Sequence, residues 1–301
     1  MNSKDKSLQL IYLKLIAMGV FWGGTFIAGR AIAGSVPPYS AAFLRFATAA
    51  IALIFVVYHR YGKLPRLNRS QLLQASLLGL TGVFLYNIFF FKGLELINAG
   101  RASLIIANNP VFIALAAALI FREPLGSTRL MGIAMSVIGA LVVITGGELS
   151  QLWQGGIGLG ELFIFGCVAT WVSASLIGKS MVGSLSPLLA VTYSSIIGSV
   201  ALLPLALSEN LASIYTGFTI VDWGSVLFLG LFGTVLGLLW YYQGIEKIGA
   251  VRAGQFINLV PISAVTMGWL LLGETITTSL LIGTVLVVTG VYITNSAREA
   301  G

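Results

Sequence analysis

Ten apolar stretches, each close to the length of a membrane-spanning helix, follow one another along nearly the whole chain. A helix needs roughly 20 mostly apolar residues to cross a hydrocarbon core about 30 Å thick, because it rises about 1.5 Å per residue. Only 9% of the 301 residues are charged, against about 25% in soluble proteins. The sequence therefore predicts an all-α integral membrane protein with ten transmembrane helices, at about 9–32, 38–58, 72–93, 99–121, 129–146, 157–178, 187–207, 223–244, 250–272 and 279–295.

The basic residues predict the orientation of these helices. With the N-terminus in the cytoplasm, 13 of the 17 Lys and Arg residues lie in inner segments, three lie at outer ends, and Arg45 lies within a span. Short cytoplasmic loops carry such an excess of Lys and Arg. The sequence thus predicts a multi-pass plasma-membrane protein with both termini in the cytoplasm. The same sidedness explains the net charge of +7, so no nucleic-acid partner is expected.

The two halves of the chain are related by an internal repeat. Residues 79–143 align with residues 230–294 without a gap at an offset of 151, and an offset of 149 fits nearer the start. Each repeat holds five helices, an odd number, so the second repeat must enter the membrane from the opposite side. This is the inverted-repeat architecture of secondary transporters, with the substrate site near the midplane. We expect repeats at 1–147 and 148–301, supported by the pairs Trp22/Trp171, Glu95/Glu246, Pro110/Pro261 and Glu123/Glu274.

Short motifs occur in both halves. The first half has FWGGTF, PPYSAAFLRF, GLELINAGRASLI and FREPL, and the second half has TWVSAS, GIEKIGAVRAGQF and LLGET. In these motifs the chain resembles the drug/metabolite transporter superfamily, in its ten-helix form with two EamA-type domains. The resemblance implies export of amino acids or similar metabolites. Relatives that exchange nucleotide sugars or sugar phosphates keep that alternative open.

Two prolines are predicted to break helices near the bilayer centre. Pro110 and Pro261 lie about twelve residues into their spans, where each removes a backbone N–H and frees a carbonyl. Irregular backbone at that depth must contact protein or line a water-filled cavity. We expect the nearby amides either to line a substrate cavity or to join neighbouring helices. These amides are Asn108, Asn109, Gln255 and Asn258.

Aromatic residues are further candidates for a substrate site. Trp22 and Trp171 are equivalent in the repeat and lie near mid-depth, where an indole N–H needs an acceptor. They could form apolar walls of a site or fill space between crossing helices. Tyr86, Asn87, Tyr193 and Tyr241 are candidates on the same grounds.

Arg45 lies inside the second helix, where a charge is expensive. The second repeat has Ser194 at the equivalent position, so this charge has no symmetric partner. Arg45 could bind a carboxylate or phosphate of a substrate. It could instead extend toward the outer surface or pair with Glu161.

The sequence does not indicate an enzyme. The single histidine and the single cysteine, Cys167, exclude His-rich and Cys-rich metal sites within the chain, and no catalytic or cofactor-binding motif is complete. We predict no catalytic residues, no metal and no cofactor. The predicted function is a secondary transporter whose partners are a small-molecule substrate and membrane lipid, and a passive channel is the alternative from another class. GxxxG spacings at Gly19/Gly23 and Gly233/Gly237 suit close helix contact within the fold or in a homodimer.

Overall fold

The computed structural model describes residues 3–121, 126–148, 157–180, 185–248, 253–254 and 256–296, and these residues form helices without any strand. The first repeat contains α1 to α5 and the second contains α6 to α10. Helix α4 consists of two parts, α4a and α4b. The bounds are α1 Ser3–Ala31, α2 Pro38–Tyr61, α3 Arg69–Leu96, α4a Ala99–Ile106, α4b Asn109–Phe121, α5 Ser127–Ile144, α6 Leu159–Ser180, α7 Pro187–Ser208, α8 Ile220–Ile248, α9 Phe256–Leu272 and α10 Thr278–Ser296.

The all-helical membrane fold predicted from the apolar stretches is confirmed. Within the described residues, nine helices are long and apolar enough to cross a membrane, and α9 is a shorter apolar helix. The predicted ninth span began at about residue 250, and residues 249–252 and 255 lie outside the described ranges.

Local sequence explains where several helices begin. Helices α2 and α7 each start with a proline, whose fixed φ suits the first helical turn. A capping box starts α3, where Asn68 and Gln71 bind each other's backbone N–H, and Thr219 and Asp222 do the same at α8. These two capping boxes lie at equivalent positions of the two repeats.

Glycine contacts show how the two repeats pack together. On α5 and α10, Gly132 lies against the Gly290 carbonyl and Gly139 lies against the Gly283 carbonyl, with ideal Cβ positions 2.7 and 2.9 Å from those oxygens. Along this contact the residue numbers rise on α5 and fall on α10, so the two helices are antiparallel. This reciprocal contact fits two inverted repeats related by a two-fold pseudo-axis.

The two GxxxG pairs lie in contacts within the chain. Gly19 and Gly23 allow α1 to approach Leu259 and Ser263 of α9. On α8, Gly233 lies against Thr25 of α1 in the same way. Helix α1 of the first repeat is thus packed between two helices of the second.

Two segments depart from α-helical geometry in a way that the sequence did not predict. Residues Gly79–Leu85 of α3 and Phe228–Leu236 of α8 are π-helical. At the offset of 151, the first segment falls on residues 230–236, inside the second. Because π turns are rare and frequently occur at functional sites, these segments direct attention to the residues beside them.

Candidate functional site

Arg45 is the one buried cation among the described residues, and it lies where α2 contacts α8. Its Nε donates to Oγ1 of Thr234 at 3.2 Å, and its Nη1 donates to Oδ1 of Asn87 at 3.1 Å. The guanidinium carbon lies 5.3 Å from the ring centre of Phe46 and 5.7 Å from that of Phe90. The charge is therefore surrounded by neutral oxygen atoms and aromatic rings.

The two partners of Arg45 are held by the π-helical segments. The Thr234 hydroxyl donates to the carbonyl of Leu229, five residues earlier, at 3.0 Å. Asn87 donates through Nδ2 to the carbonyl of Val83 at 2.8 Å. Since a hydroxyl and an amide can donate and accept at once, each π segment orients one acceptor toward Arg45.

The ion pair between Arg45 and Glu161, which we considered from the sequence, is not formed. Glu161 binds Arg101 instead, with 2.7 Å between Oε1 and Nη2, and its Oε2 accepts the backbone N–H of Gly158. Glu161 is in the first turn of α6, where a carboxylate is favoured by the helix dipole and the free N–H groups. No carboxylate in the described part of the chain forms an ion pair with Arg45.

Tyr86 and Trp171 form an aromatic wall beside Arg45. Their ring centres are 5.6 Å apart, and Tyr86 also stacks on Phe90 at 6.0 Å. The same Phe90 ring lies 5.7 Å from the guanidinium carbon of Arg45. The structure therefore brings together four of the residues predicted from the sequence: Arg45 on α2, Tyr86 and Asn87 on α3, and Trp171 on α6.

Trp22 packs against α8 in a related arrangement. Its indole N–H donates to the carbonyl of Gly233, inside the second π segment, at 2.9 Å, and its ring lies 5.5 Å from that of Tyr241. A Cβ atom at Gly237 would collide with the indole nitrogen. The mid-membrane indole therefore has the acceptor that the sequence required.

The predicted break in the fourth helix is present. Helix α4a ends at Ile106, and Pro110 is the second residue of α4b, where its missing N–H costs no helical hydrogen bond. Asn108 donates to the Leu104 carbonyl at 2.9 Å and accepts from the Ser136 hydroxyl of α5 at 2.7 Å. These two bonds favour the interpretation of Asn108 as a contact between helices.

Asn109 differs from its neighbour. Its side chain is buried, and its Oδ1 has no hydrogen-bond partner among the residues that the structure describes. Leaving a buried acceptor unpaired costs about 1–3 kcal/mol, and such atoms are uncommon in native proteins. An N–H donor on a bound molecule would satisfy this atom.

The ninth helix also departs from α-helical geometry at its predicted break. Phe256–Asn258 form a 3₁₀ turn, and Pro261 lies in the first turn of the helix that follows. Asn258 is half-buried, whereas Gln255 lies outside the described residues.

Tyr193 is not among the residues that contact Arg45; Arg45, Asn87, Thr234 and the aromatic residues Phe46, Phe90, Tyr86 and Trp171 are called the Arg45 cluster. Its hydroxyl donates to the carbonyl of Pro65, in the connection between α2 and α3. This contact is at the end of the bundle that is predicted to face the cytoplasm.

Residues 9–145 and residues 158–296 each match the EamA-like transporter family. The chain belongs to that family.

Relatives of this EamA-like transporter span almost its full length. The uncharacterized transporter YyaM of Bacillus subtilis (strain 168) is 32% identical over 281 residues, covering 93% of this chain and 92% of the relative. A protein of Salmonella typhimurium named a probable amino-acid metabolite efflux pump is 29% identical over 303 residues, covering 97% and 95%. These names indicate a transporter rather than an enzyme. A crystal structure at 18% identity has the same fold, with a TM-score of 0.64 and coverage of 96% and 98%.

Thr234 is the residue of this EamA-like transporter's Arg45 cluster that sequence reasoning missed. Its counterpart in the first repeat is the apolar Val83, so Thr234 does not belong to a matched polar pair. The matched glycines Gly79/Gly230 and Gly82/Gly233 did mark the two segments. No residue pattern in these segments distinguishes a π turn from an α-helix, so the π-helical geometry could not be predicted.

Proposed function

We propose that this EamA-like transporter is a secondary transporter that exports amino acids or similar small carboxylate-bearing metabolites across the plasma membrane by alternating access. In this proposal both termini lie in the cytoplasm. Arg45 binds the carboxylate, and Tyr86 and Trp171 contact the apolar part of the substrate.

The observation that carries the proposal is that the buried charge of Arg45 is bound by neutral oxygen atoms. Its guanidinium has five N–H donors, and described residues accept from Nε and Nη1, both through neutral oxygens. A buried charge without an opposite charge is unfavourable. A substrate carboxylate would supply the opposite charge, and Arg binds such a group through two parallel hydrogen bonds.

The single buried cation also favours one class of substrate over another. A nucleotide sugar or sugar phosphate carries two or more negative charges, which would call for several basic residues in the site. The described residues bury one cation, which matches one carboxylate. The name of the Salmonella typhimurium relative, a probable amino-acid metabolite efflux pump, supports the same class.

The fold supports alternating access rather than a fixed pore. Helix α4 is interrupted in mid-membrane at Asn108, and α9 begins with a 3₁₀ turn at its equivalent point. Discontinuous helices in inverted repeats occur in transporters that rock one repeat against the other around a central site. The contacts of Arg45 with both α3 and α8 place this residue between the two repeats.

A flux experiment tests the proposal. A metabolite comparison between cells that overexpress and cells that lack the protein would identify candidate substrates, and purified protein in liposomes would then be loaded with each labelled candidate. We expect saturable efflux that rises when unlabelled substrate is present on the opposite side, and loss of that flux in Arg45→Gln. Flux that neither saturates nor responds to substrate on the opposite side would indicate a channel. Transport of phosphorylated compounds alone would contradict the substrate class.

A further inference from the structure

Four carboxylates of the second repeat bind the first repeat at one end of the bundle, the end predicted to face outside. One of these links is the Arg101–Glu161 ion pair already described, and another is a hydrogen bond of 2.5 Å from the Ser35 hydroxyl to Asp222. The other two are hydrogen bonds from backbone N–H groups to Glu209 and Glu274.

Glu274 caps a helix that belongs to the other repeat. Its two carboxylate oxygens accept the N–H groups of Ala99 at 2.7 Å and Gly100 at 3.1 Å, at the start of α4a. The first N–H groups of a helix have no partner within the helix, and the helix dipole favours a negative charge there. Helix α4a leads directly to the break at Asn108, so Glu274 binds the outer half of a discontinuous helix.

Glu209 makes the same kind of contact with α2. It follows the end of α7, and its carboxylate accepts from the N–H groups of Tyr39 at 3.1 Å and Ser40 at 2.7 Å. The Ser40 hydroxyl donates to it as well, at 2.8 Å. Helix α2 carries Arg45, so Glu209 binds the helix that holds the proposed substrate charge.

The opposite end of the bundle is joined differently. There the hydrogen bonds between the repeats include one from the Tyr193 hydroxyl to the Pro65 carbonyl and one from Lys14 to the Gln243 side chain, the latter at 2.9 Å. Their acceptors are neutral. Charge-assisted hydrogen bonds are roughly twice as strong as neutral ones, and the contacts named above include four carboxylates at the outer end and one charged donor, Lys14, at this end.

We propose that Glu209 and Glu274 are latches that hold the outer face of the transport pathway closed, and that their release opens the pathway to the outside. The proposal rests on the alternating-access function above. Each latch binds one repeat's helix terminus from the other repeat, so a rocking movement that separates the outer ends must break both. Glu161 and Asp222 also have caps within their own repeat, at Gly158 and Thr219, which they keep after separation.

Thiol labelling without substrate tests the latches independently of transport. Ser103 is buried on α4a, three residues after Gly100, whose ideal Cβ lies 3.3 Å from Val265 of the second repeat. Residues three apart share a helix face. In the experiment, Ser103 is replaced by cysteine in a Cys167→Ser background, and whole cells are treated with a thiol reagent that cannot cross the membrane. We expect slow labelling in that parent and about tenfold faster labelling in Glu274→Gln and Glu209→Gln, because each amide loses the charge and one acceptor.

Glu246→Gln is the matched control, since Glu246 is exposed at the end predicted to face the cytoplasm. It should label as slowly as the parent. If either latch variant folds poorly, Ser40→Ala removes one bond to Glu209 and should give a smaller increase. Latch variants that keep the parent's melting temperature and labelling rate would overturn the proposal, as would equally fast labelling in Glu246→Gln. If the wild-type protein shows no saturable flux but the latch variants still label faster than the parent, only the proposed transport function is rejected.

Discussion

The guanidinium of Arg45 in the first repeat donates to the hydroxyl of Thr234 in the second repeat, with 3.2 Å between Nε and Oγ1. This bond crosses the surface along which the two repeats must move if the protein works by alternating access. A second bond, from Nη1 to Asn87, ties the same charge to the first repeat. Arg45 thus contacts both repeats.

Replacing Arg45 by lysine should impair transport while leaving folded protein abundant. Lysine keeps the charge but lacks the planar fork that binds a carboxylate through two hydrogen bonds, and we expect a loss of about tenfold or more in efflux rate. Flux per folded molecule in liposomes measures the effect. Glu161→Gln is the comparison, and it should leave flux near normal because Glu161 contacts Arg101. Normal flux in Arg45→Lys, together with poor folding of Arg45→Ala, would assign Arg45 a structural role.

Thr234→Val should weaken substrate binding more than Thr234→Ser. Valine preserves the shape and removes the hydroxyl that accepts from Arg45 and donates to Leu229, whereas serine keeps it. We expect a raised KM for valine, with about a tenfold change for one bond to a charged group. Concentration-dependent efflux gives KM and maximal rate separately. Equal KM values for the two variants would show that Thr234 does not position Arg45.

Asn108 and Asn109 should respond differently to alanine. Asn108→Ala breaks bonds to Leu104 and Ser136 and leaves a buried hydroxyl unpaired, so it should lower stability by about 1–3 kcal/mol. Asn109→Ala removes an acceptor that no described residue binds, so it should change substrate affinity more than stability. Melting temperature in detergent and KM would be measured for both. A stability loss confined to Asn109→Ala would reverse the two assignments.

Gly290→Ala should destabilise the protein through the α5–α10 contact. The new Cβ would lie 2.5 Å from the Ser136 nitrogen and 2.6 Å from the Gly132 oxygen. Both are backbone atoms that cannot rotate away, so a cost of about 1–3 kcal/mol is expected. Gly224→Ala is the control, because nothing lies within 4 Å of its Cβ position. The melting temperature should fall in the first variant and not in the second.

Reporter fusions test the predicted topology. A reporter after Gly147 should lie outside the cytoplasm and one after Arg298 should lie inside it, because five helices precede the first point and ten precede the second. The fused reporter is an enzyme that is active on only one side of the membrane, so its activity in cells shows on which side each fusion point lies. Signals from the same side at both points would contradict the inverted repeats.

The sequence was sufficient for the fold because its main signals are long and repeated. Apolar length fixes a spanning helix, and matched residues such as Pro110/Pro261 related the two halves. The site was harder to predict, since the partner of Arg45 depends on helix rotation. We considered Glu161 from its charge and expected depth, whereas the structure gives Asn87 and Thr234.

The contacts of the latch residues could not be predicted from the sequence either. From the sequence, Glu274 is matched with Glu123 of the first repeat, and the structure shows that it caps α4a. Which helix it caps could not be derived, because Ala99 lies 175 residues away in the chain. Such a contact follows from the packing of the two repeats, and local sequence carries no signal for it.

The π-helical segments also record the history of the chain. A π turn closes its hydrogen bond over one more residue than an α turn, so it can hold an inserted residue without shifting the turns on either side, and two separate insertions at equivalent positions of both repeats would be a coincidence. The economical account is one insertion in a five-helix ancestor, before gene duplication joined two copies. Arg45 opposite Ser194 and Tyr86 opposite Gly237 would then be later divergence within a helical scaffold that both repeats inherited.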